Sequence, residues 1–172
     1  MLELSIALPI RVQNGGLFIS RGVGRHPARK LSSWEIIFVE KGTLTIQEEN
    51  TLFEVNAGES LLLWPKRRHV GVEDFPGDLK FYWLHFEVDE RLPALPGATP
   101  LSIEQHCSVR DPQYVIALFR QFLSEQEKLQ RSQALEIILL LILQQISLSP
   151  GYEDKADDAG AAMEIGRASC RE

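Results

Sequence analysis

Short runs of alternating apolar and polar residues recur between residues 17 and 88, and turn-forming residues separate them. Alternation with a period of two is typical of strands that bury one face, and no crossover helix separates these runs. The pattern therefore predicts a mainly β fold, an antiparallel barrel or jelly roll. Seven strands are expected, at residues 17–21, 34–40, 43–47, 51–55, 60–64, 69–73 and 79–88.

The pattern changes to helical spacing after a proline-rich connector at residues 89–100. Asp111 and Pro112 favour a helix start, because an aspartate can cap the first turn and proline fits the first helical position. A second helix is predicted from a cap at Ser132 to about residue 147. This helix is apolar almost all round, so it needs cover on more than one side.

The apolar second helix suggests a homodimer. One side can pack on the barrel and the other on a second subunit, although the helix could instead be covered wholly within its own chain. The residues assigned to the dimer contact are Leu135, Ile138, Leu139, Ile142 and Ile146.

These patterns divide the chain into four parts. Residues 1–100 are expected to form the barrel with its N-terminal segment and connector, and residues 101–149 a helical dimerisation element. Residues 150–163 are rich in Gly, Ala and Asp, which is typical of a linker. Residues 164–172 match an in-frame translation of a widely used sequencing adapter. We interpret them as an artefact that ends a truncated gene, and the alternative is a native disordered tail.

Composition excludes several classes of protein. The chain has 18 Lys and Arg against 24 Asp and Glu, a formal charge of -6, which argues against its being a platform for nucleic acid. It begins without the pattern of a signal peptide, and its longest apolar run is too short to span a bilayer. We therefore expect a cytoplasmic protein without a membrane contact. The two cysteines lack a Cys-x-x-Cys spacing, so neither a zinc site nor a structural disulfide is expected.

Two motifs lie within the predicted barrel. Six residues separate Glu35 from Gly42, and the run GESLLLWPKRRH leads to His69. This ordering resembles the two cupin motifs, whose metal-binding versions place a His-x-His pair four or five positions before the glutamate. Here residues 28–31 read Ala-Arg-Lys-Leu. A divalent metal needs three or four ligands, and this chain retains at most Glu35 and His69, so no metal and no cofactor are expected.

No catalytic arrangement is visible in the sequence. It contains neither a Gly-x-Ser-x-Gly elbow, nor His-Glu-x-x-His, nor a glycine-rich phosphate loop. Paired carboxylates such as Glu48 and Glu49 are interpreted as solvated turns. We therefore expect a binding protein without catalytic residues. The alternative is a small metal-dependent cupin enzyme, an isomerase or a dioxygenase.

The last predicted strand offers a ligand-binding face. Phe81, Trp83 and His85 share one face of it, because successive side chains of a strand alternate. Aromatic rings supply stacking area and an imidazole a directional hydrogen bond, which suits a ring-shaped or sugar-like ligand. The alternative is that these side chains are simply core.

A polar clamp is predicted ahead of the first core strand. Arg25, His26 and Arg29 lie there, and an arginine can bind hydroxyl, carboxylate or phosphate groups through its planar fork. We expect one of these arginines to pair with Glu35, which would be costly to bury alone. The candidate ligand-binding residues are Arg25, His26, Arg29, Glu35, His69, Phe81, Trp83 and His85.

The runs GLFISRGVGRHPAR, WEIIFVEKG, NAGESLLLWPKRRH and FYWLHFEV together resemble the sensor domain of AraC-type transcriptional regulators. The resemblance implies a cupin-like effector-binding barrel, a helical dimerisation element and a C-terminal DNA-binding domain of two helix-turn-helix units. That last domain has no counterpart here, so DNA would be bound only through the absent part.

By the same resemblance, the effector is a small molecule, such as a sugar or sugar derivative, inside the barrel. Residues matching Arg25 or Arg29, together with Phe81 and Trp83, would contact it. The sugar-binding members of the family have a polar ring where this chain has Phe81, which argues against a simple pentose. A further alternative is a module that dimerises without a small ligand.

Overall fold

The computed structural model describes residues 1–3, 6–89, 100–128 and 133–148, which form two antiparallel sheets followed by two helices. The helices are α1 (Pro112–Gln126) and α2 (Ala134–Ser147). The strands are β1 (Ile10–Ile19), β2 (Arg29–Lys30), β3 (Trp34–Lys41), β4 (Thr43–Glu48), β5 (Thr51–Asn56), β6 (Glu59–Leu63), β7 (Arg68–Gly71), β8 (Lys80–Val88) and β9 (His106–Ser108).

One sheet has five strands in the order β1-β8-β3-β6-β9, and the other has four in the order β2-β7-β4-β5. Buried side chains from both sheets, among them Ile37 and Ile46, form one apolar core between them. A second core joins the five-stranded sheet to the helices, with Phe38 and Phe119 among its members. The prediction of a mainly β, antiparallel fold followed by two helices is confirmed, and its strands form two packed sheets.

Strand β8 serves both cores because its side chains alternate. Phe81 lies in the core between the sheets, and Trp83 packs against the same core. Tyr82 and Leu84 face the helices, where the Tyr82 ring stacks on Phe119 at a centroid distance of 5.1 Å. The predicted division of this strand into two faces is confirmed.

Strand β1 is longer than the predicted strand at residues 17–21, since it begins at Ile10. Its centre, Asn14-Gly15-Gly16, has the composition of a turn, yet it pairs with β8 after a bulge. The two glycines make room for neighbours. A Cβ at Gly15 would lie 2.8 Å from Phe122 Cε1, and one at Gly16 would lie 2.7 Å from the Trp83 ring. Close approach, rather than a turn, therefore explains the glycines.

Two short strands are absent from the sequence prediction. β2 has two residues and β9 three, too few for a pattern of alternation to be recognised. Because β9 pairs with β6, the first part of residues 101–149 belongs to the sheet and not to a purely helical element. Most of the connector, Ser132, the linker and the tail lie outside the described residues.

The first helix begins as predicted, because the Asp111 side chain accepts a hydrogen bond from Tyr114 N at 3.0 Å. The second helix begins at Ala134 and packs one face on α1 and on the five-stranded sheet. That face carries every residue assigned to the dimer contact, and each is at most 6% exposed, so they pack within one chain. These residues are Leu135, Ile138, Leu139, Ile142 and Ile146.

Neither α1 nor α2, nor any other helix in the described part of the chain, has the length and apolar content that crossing a bilayer requires.

Glu48 corrects the prediction of a solvated turn. Its side chain is buried and accepts hydrogen bonds from Trp64 N at 2.7 Å and from Gln105 Nε2 at 2.6 Å. Glu49 does form the exposed turn, with a φ of 51°. Glu48 and Glu49 are therefore adjacent in the sequence, yet the first is buried at the end of a strand and the second is exposed in a turn.

Candidate functional site

Glu35 is a buried carboxylate with two histidines beside it. It lies on β3 directly opposite His85 of β8, and His69 reaches it from β7 in the other sheet. Glu35 Oε2 is 3.8 Å from His69 Nε2, and Glu35 Oε1 is 3.9 Å from His85 Nε2. Both distances are too long for hydrogen bonds. Glu35 is 3% exposed and His69 1% exposed, so little water reaches the pair.

A third histidine, His26, comes from the segment before β2. Its carbonyl oxygen accepts a hydrogen bond from Gly71 N at 2.9 Å, and its ring centroid is 5.3 Å from that of His69. A Cβ at Gly71 would lie 2.5 Å from His26 N. The absence of a side chain at Gly71 therefore lets this segment approach β7.

Three of the four histidines in the chain thus gather around one carboxylate. We call His26, Glu35, His69 and His85 the Glu35 group. Ligand atoms of the first three all lie within 4.8 Å of one another, a spacing suited to a metal ion. Sequence spacing offered two candidate ligands, Glu35 and His69, and the fold adds a third, His26, at a position that no local motif indicates.

The hydrogen bonding of the Glu35 group is incomplete. Glu35 Oε2 and both ring nitrogens of His69 are buried and have no partner among the described residues. In contrast, His26 Nδ1 lies 3.1 Å from Pro27 O, and His85 Nδ1 lies 3.4 Å from Ser33 Oγ. The contact of His26 leaves its Nε2 as the nitrogen available to another group. His85 also forms a hydrogen bond with the backbone of Trp34.

Burial sets the charges of the group. It raises the pKa of Glu35 to about 7, with a smaller opposing effect from the positive charge of Arg29. It lowers the pKa of His26 and of His69 to about 4, and Arg29 and the neighbouring imidazoles contribute to both shifts. Burial and then Arg29 also lower the pKa of His85. Neutral imidazoles are the form that accepts hydrogen bonds and binds metals.

The two arginines of the predicted clamp lie apart. Arg29 is on β2 opposite His69, with its side chain exposed. Arg25 forms a surface salt bridge with Asp74 at 2.9 Å. The histidines, and not an arginine, are therefore the close neighbours of Glu35. Arg29 acts on it through its charge.

The two aromatic candidates also separate. Trp83 is partly buried, and its ring lies 5.1 Å from that of His85. Phe81 is 4% exposed and stacks on Phe18 at 4.9 Å within the core between the sheets. β8 therefore brings Trp83 to the Glu35 group and uses Phe81 for packing.

Two residues of the site have no place in the sequence prediction. Gly71 carries a usable signal, because a glycine inside a strand pattern often marks close approach of another backbone. Ser33 is 5% exposed and contacts His85, and nothing in its sequence neighbourhood indicates this.

The chain matches a family described as the AraC-like ligand binding domain over residues 20–143. It is also 38% identical over 77 residues to a Bacillus subtilis (strain 168) protein described as the uncharacterized HTH-type transcriptional regulator YisR. That match covers 41% of this chain and 27% of the relative, so the chain spans little more than a quarter of the length of this curated relative.

Among solved structures, a cupin protein from Bacteroides fragilis is 15% identical, with a TM-score of 0.38. The match covers 58% of this chain and 97% of that protein. A protein from Escherichia coli K12 is 12% identical, with a TM-score of 0.41 and coverages of 57% and 100%. Scores this low carry no functional argument. The two-sheet architecture rests on the strand pairing itself.

Proposed function

The chain belongs to the AraC-like ligand binding domain family, and we propose on that basis that it senses a small-molecule effector for an AraC-type transcriptional regulator. The observation that carries the proposal is the extent of the family match. It runs from the end of β1 into α2 and includes every member of the Glu35 group. Relatedness to an HTH-type regulator supports the same role.

We place the effector beside the Glu35 group. A carboxyl and neutral imidazoles offer directional hydrogen bonds, and Trp83 offers a stacking face next to His85. The exposed guanidinium of Arg29 adds a positive charge at the same place. This combination favours a polar ring with an anionic substituent, such as a sugar acid or a sugar phosphate, over a neutral pentose.

In this proposal the segment before β2, which carries His26, couples effector binding to the geometry of the dimer. Its backbone is joined to the four-stranded sheet through Gly71 N and His26 O, at 2.9 Å. An effector that contacts His26 and Arg29 would order this segment and bias the geometry of a homodimer. DNA would then be bound by a helix-turn-helix domain outside this chain, and the whole protein would act in the cytoplasm.

The rival function is a small metal-dependent cupin enzyme. The relative described as an HTH-type transcriptional regulator, 38% identical over 77 residues, supports the sensor. The Glu35 group could bind a metal, so the metal content alone does not separate the two functions.

A thermal-shift screen of sugars, sugar acids and sugar phosphates tests the sensor. At a concentration 100-fold above its dissociation constant, an effector stabilises the native state by about 2.7 kcal/mol and raises the melting temperature by roughly 5 °C or more. Arg29→Ala should abolish the rise. Arg25→Ala, which removes the arginine paired with Asp74, should preserve it. A screen without a hit, or equal losses in both variants, would contradict the effector site.

A further inference from the structure

The Glu35 group holds buried polar atoms that nothing in the described chain satisfies. Glu35 Oε2, His69 Nδ1 and His69 Nε2 all lack a partner, and both residues are almost fully buried. Each buried polar atom without a hydrogen bond costs about 1–3 kcal/mol. Apolar side chains at these positions would avoid that cost. Three unsatisfied atoms in one place therefore indicate that a bound group completes their interactions.

The separations within the group fit an ion. Tetrahedral ligand atoms at about 2.1 Å from one metal lie about 3.4 Å apart. Glu35 Oε2 is 3.8 Å from His69 Nε2, and the other carboxylate oxygen, Oε1, is 3.9 Å from His85 Nε2. The ligand atoms of His26, Glu35 and His69 lie within 4.8 Å of one another, so closure around an ion needs movements of about 1 Å.

Two of the histidines are oriented by contacts of Nδ1, the ring nitrogen that would not bind the metal. His26 Nδ1 contacts Pro27 O, and His85 Nδ1 contacts Ser33 Oγ. Metal-binding histidines usually donate their other N–H to such a carbonyl or hydroxyl, which fixes the ring and its tautomer. With Nδ1 as the donor, the lone pair of each ring is on Nε2. His85 Nε2 lies on the side of Glu35.

We propose that His26, Glu35 and His69 bind one divalent transition metal ion, with His85 as the fourth ligand. The two imidazoles that the sequence lacks at residues 28–31 are replaced by one from the segment before β2 and one from β8. Three imidazoles and one carboxylate suit Zn²⁺, Ni²⁺, Co²⁺ or Fe²⁺ better than Mg²⁺ or Ca²⁺. The inference goes beyond the proposed function, because the protein would hold the ion with or without an effector.

Calorimetric titration of the EDTA-treated, desalted full chain with ZnCl₂ tests the site. One ion per chain is expected, and Glu35→Gln and His69→Gln should each weaken binding at least 100-fold or so, since even outer ligand contacts contribute about 10–100-fold. His106→Gln is the matched control. It removes the fourth histidine, which pairs with Glu59 outside the group, and should leave the affinity unchanged.

Binding of less than one ion per chain to the unaltered protein, or an equal loss in His106→Gln, would overturn the proposal. If a variant fails to fold by circular dichroism, the absorption spectrum of Co²⁺ added to the unaltered protein decides. Visible bands of nitrogen-ligated Co²⁺ support the site, and the spectrum of hydrated Co²⁺ refutes it. Effector binding measured in EDTA is a separate result, so the sensor and the metal site can fail independently.

Discussion

Glu35 Oε2 faces His69 Nε2 at 3.8 Å between the two sheets, and neither atom has a hydrogen-bond partner in the described part of the chain. Glu35 belongs to β3 and His69 to β7, so the pair joins the five-stranded sheet to the four-stranded one. His26 adds the segment before β2 to the same place. The site therefore depends on how β3, β7 and the segment before β2 pack against one another.

Gly71→Ala should displace the His26 segment. The new methyl group would lie 2.5 Å from His26 N, and overpacking against backbone costs about 1–3 kcal/mol. Urea unfolding should show this loss, and zinc affinity should fall at least tenfold or so. Gly77→Ala is the control, since its nearest neighbour, Gly22 Cα, is 3.8 Å away. Equal effects of the two substitutions would contradict the role given to Gly71.

Glu48→Ala should destabilise the fold without affecting zinc binding. It removes the acceptor of Trp64 N and Gln105 Nε2, two partly buried donors, at a cost of about 1–3 kcal/mol. Chemical denaturation measures this. Glu54→Ala, on the exposed side of β5, should change stability by less than about 0.5 kcal/mol. An unaltered midpoint for Glu48→Ala would show that these hydrogen bonds contribute little.

Glu59→Gln should weaken the dependence of stability on acid pH. Burial alone would raise the pKa of Glu59, but hydrogen bonds from Asn56 and His106 and the charge of His106 lower it below 4.5. A carboxyl with a depressed pKa stabilises the fold above pH 4.5, and this contribution is lost as pH falls through the folded value. The Glu59 side chain is 22% exposed and its partner His106 31% exposed, so solvent screens the pair and the effect should be about 0.5 kcal/mol.

Thermal unfolding between pH 3 and pH 6 would measure this pH-dependent contribution of Glu59 to stability. Parallel curves for the unaltered protein and Glu59→Gln are the outcome that argues against this assignment.

The proposed homodimer should use the outward face of α2. Ile137 of α2 is 42% exposed and Leu148, directly after the helix, is 44% exposed, whereas the helix face predicted from the sequence to form the dimer is buried in the chain. Ile137→Asp should therefore convert a dimer to a monomer in analytical ultracentrifugation, with the unfolding midpoint unchanged. Leu52→Asp, at a 55% exposed leucine of β5, should leave the dimer intact. A monomeric unaltered chain would refute this interface.

Local patterns were sufficient for most of the fold. Alternation placed β3 to β6 and β8, and the Asp111 cap placed the start of α1, because each depends on residues near in sequence. The pattern predicts too short a β1, because Gly15 and Gly16 have the composition of a turn. Their reason for being glycine, close contact with Phe122 and Trp83, comes from residues distant in sequence.

The sequence identified the residues of the Glu35 group as candidates, but it did not predict that they lie close together. The register opposes Glu35 to His85, and β7 lies in the other sheet. Neither relationship follows from sequence spacing. The His-x-His motif alone therefore does not reveal a group of potential ligands that several elements bring together. The same distant contacts separate Arg25 from Arg29, although both lie on one short segment.

The Glu35 group as the binding site of this domain is tested most directly by histidine NMR. Long-range ¹H–¹⁵N spectra of the four imidazoles, assigned with single His→Gln variants, would be recorded while ZnCl₂ is added to the EDTA-treated chain. The rings of His26, His69 and His85 should shift together and saturate at one equivalent, with His106 unmoved. Shifts confined to His106, or none at one equivalent, would contradict the site.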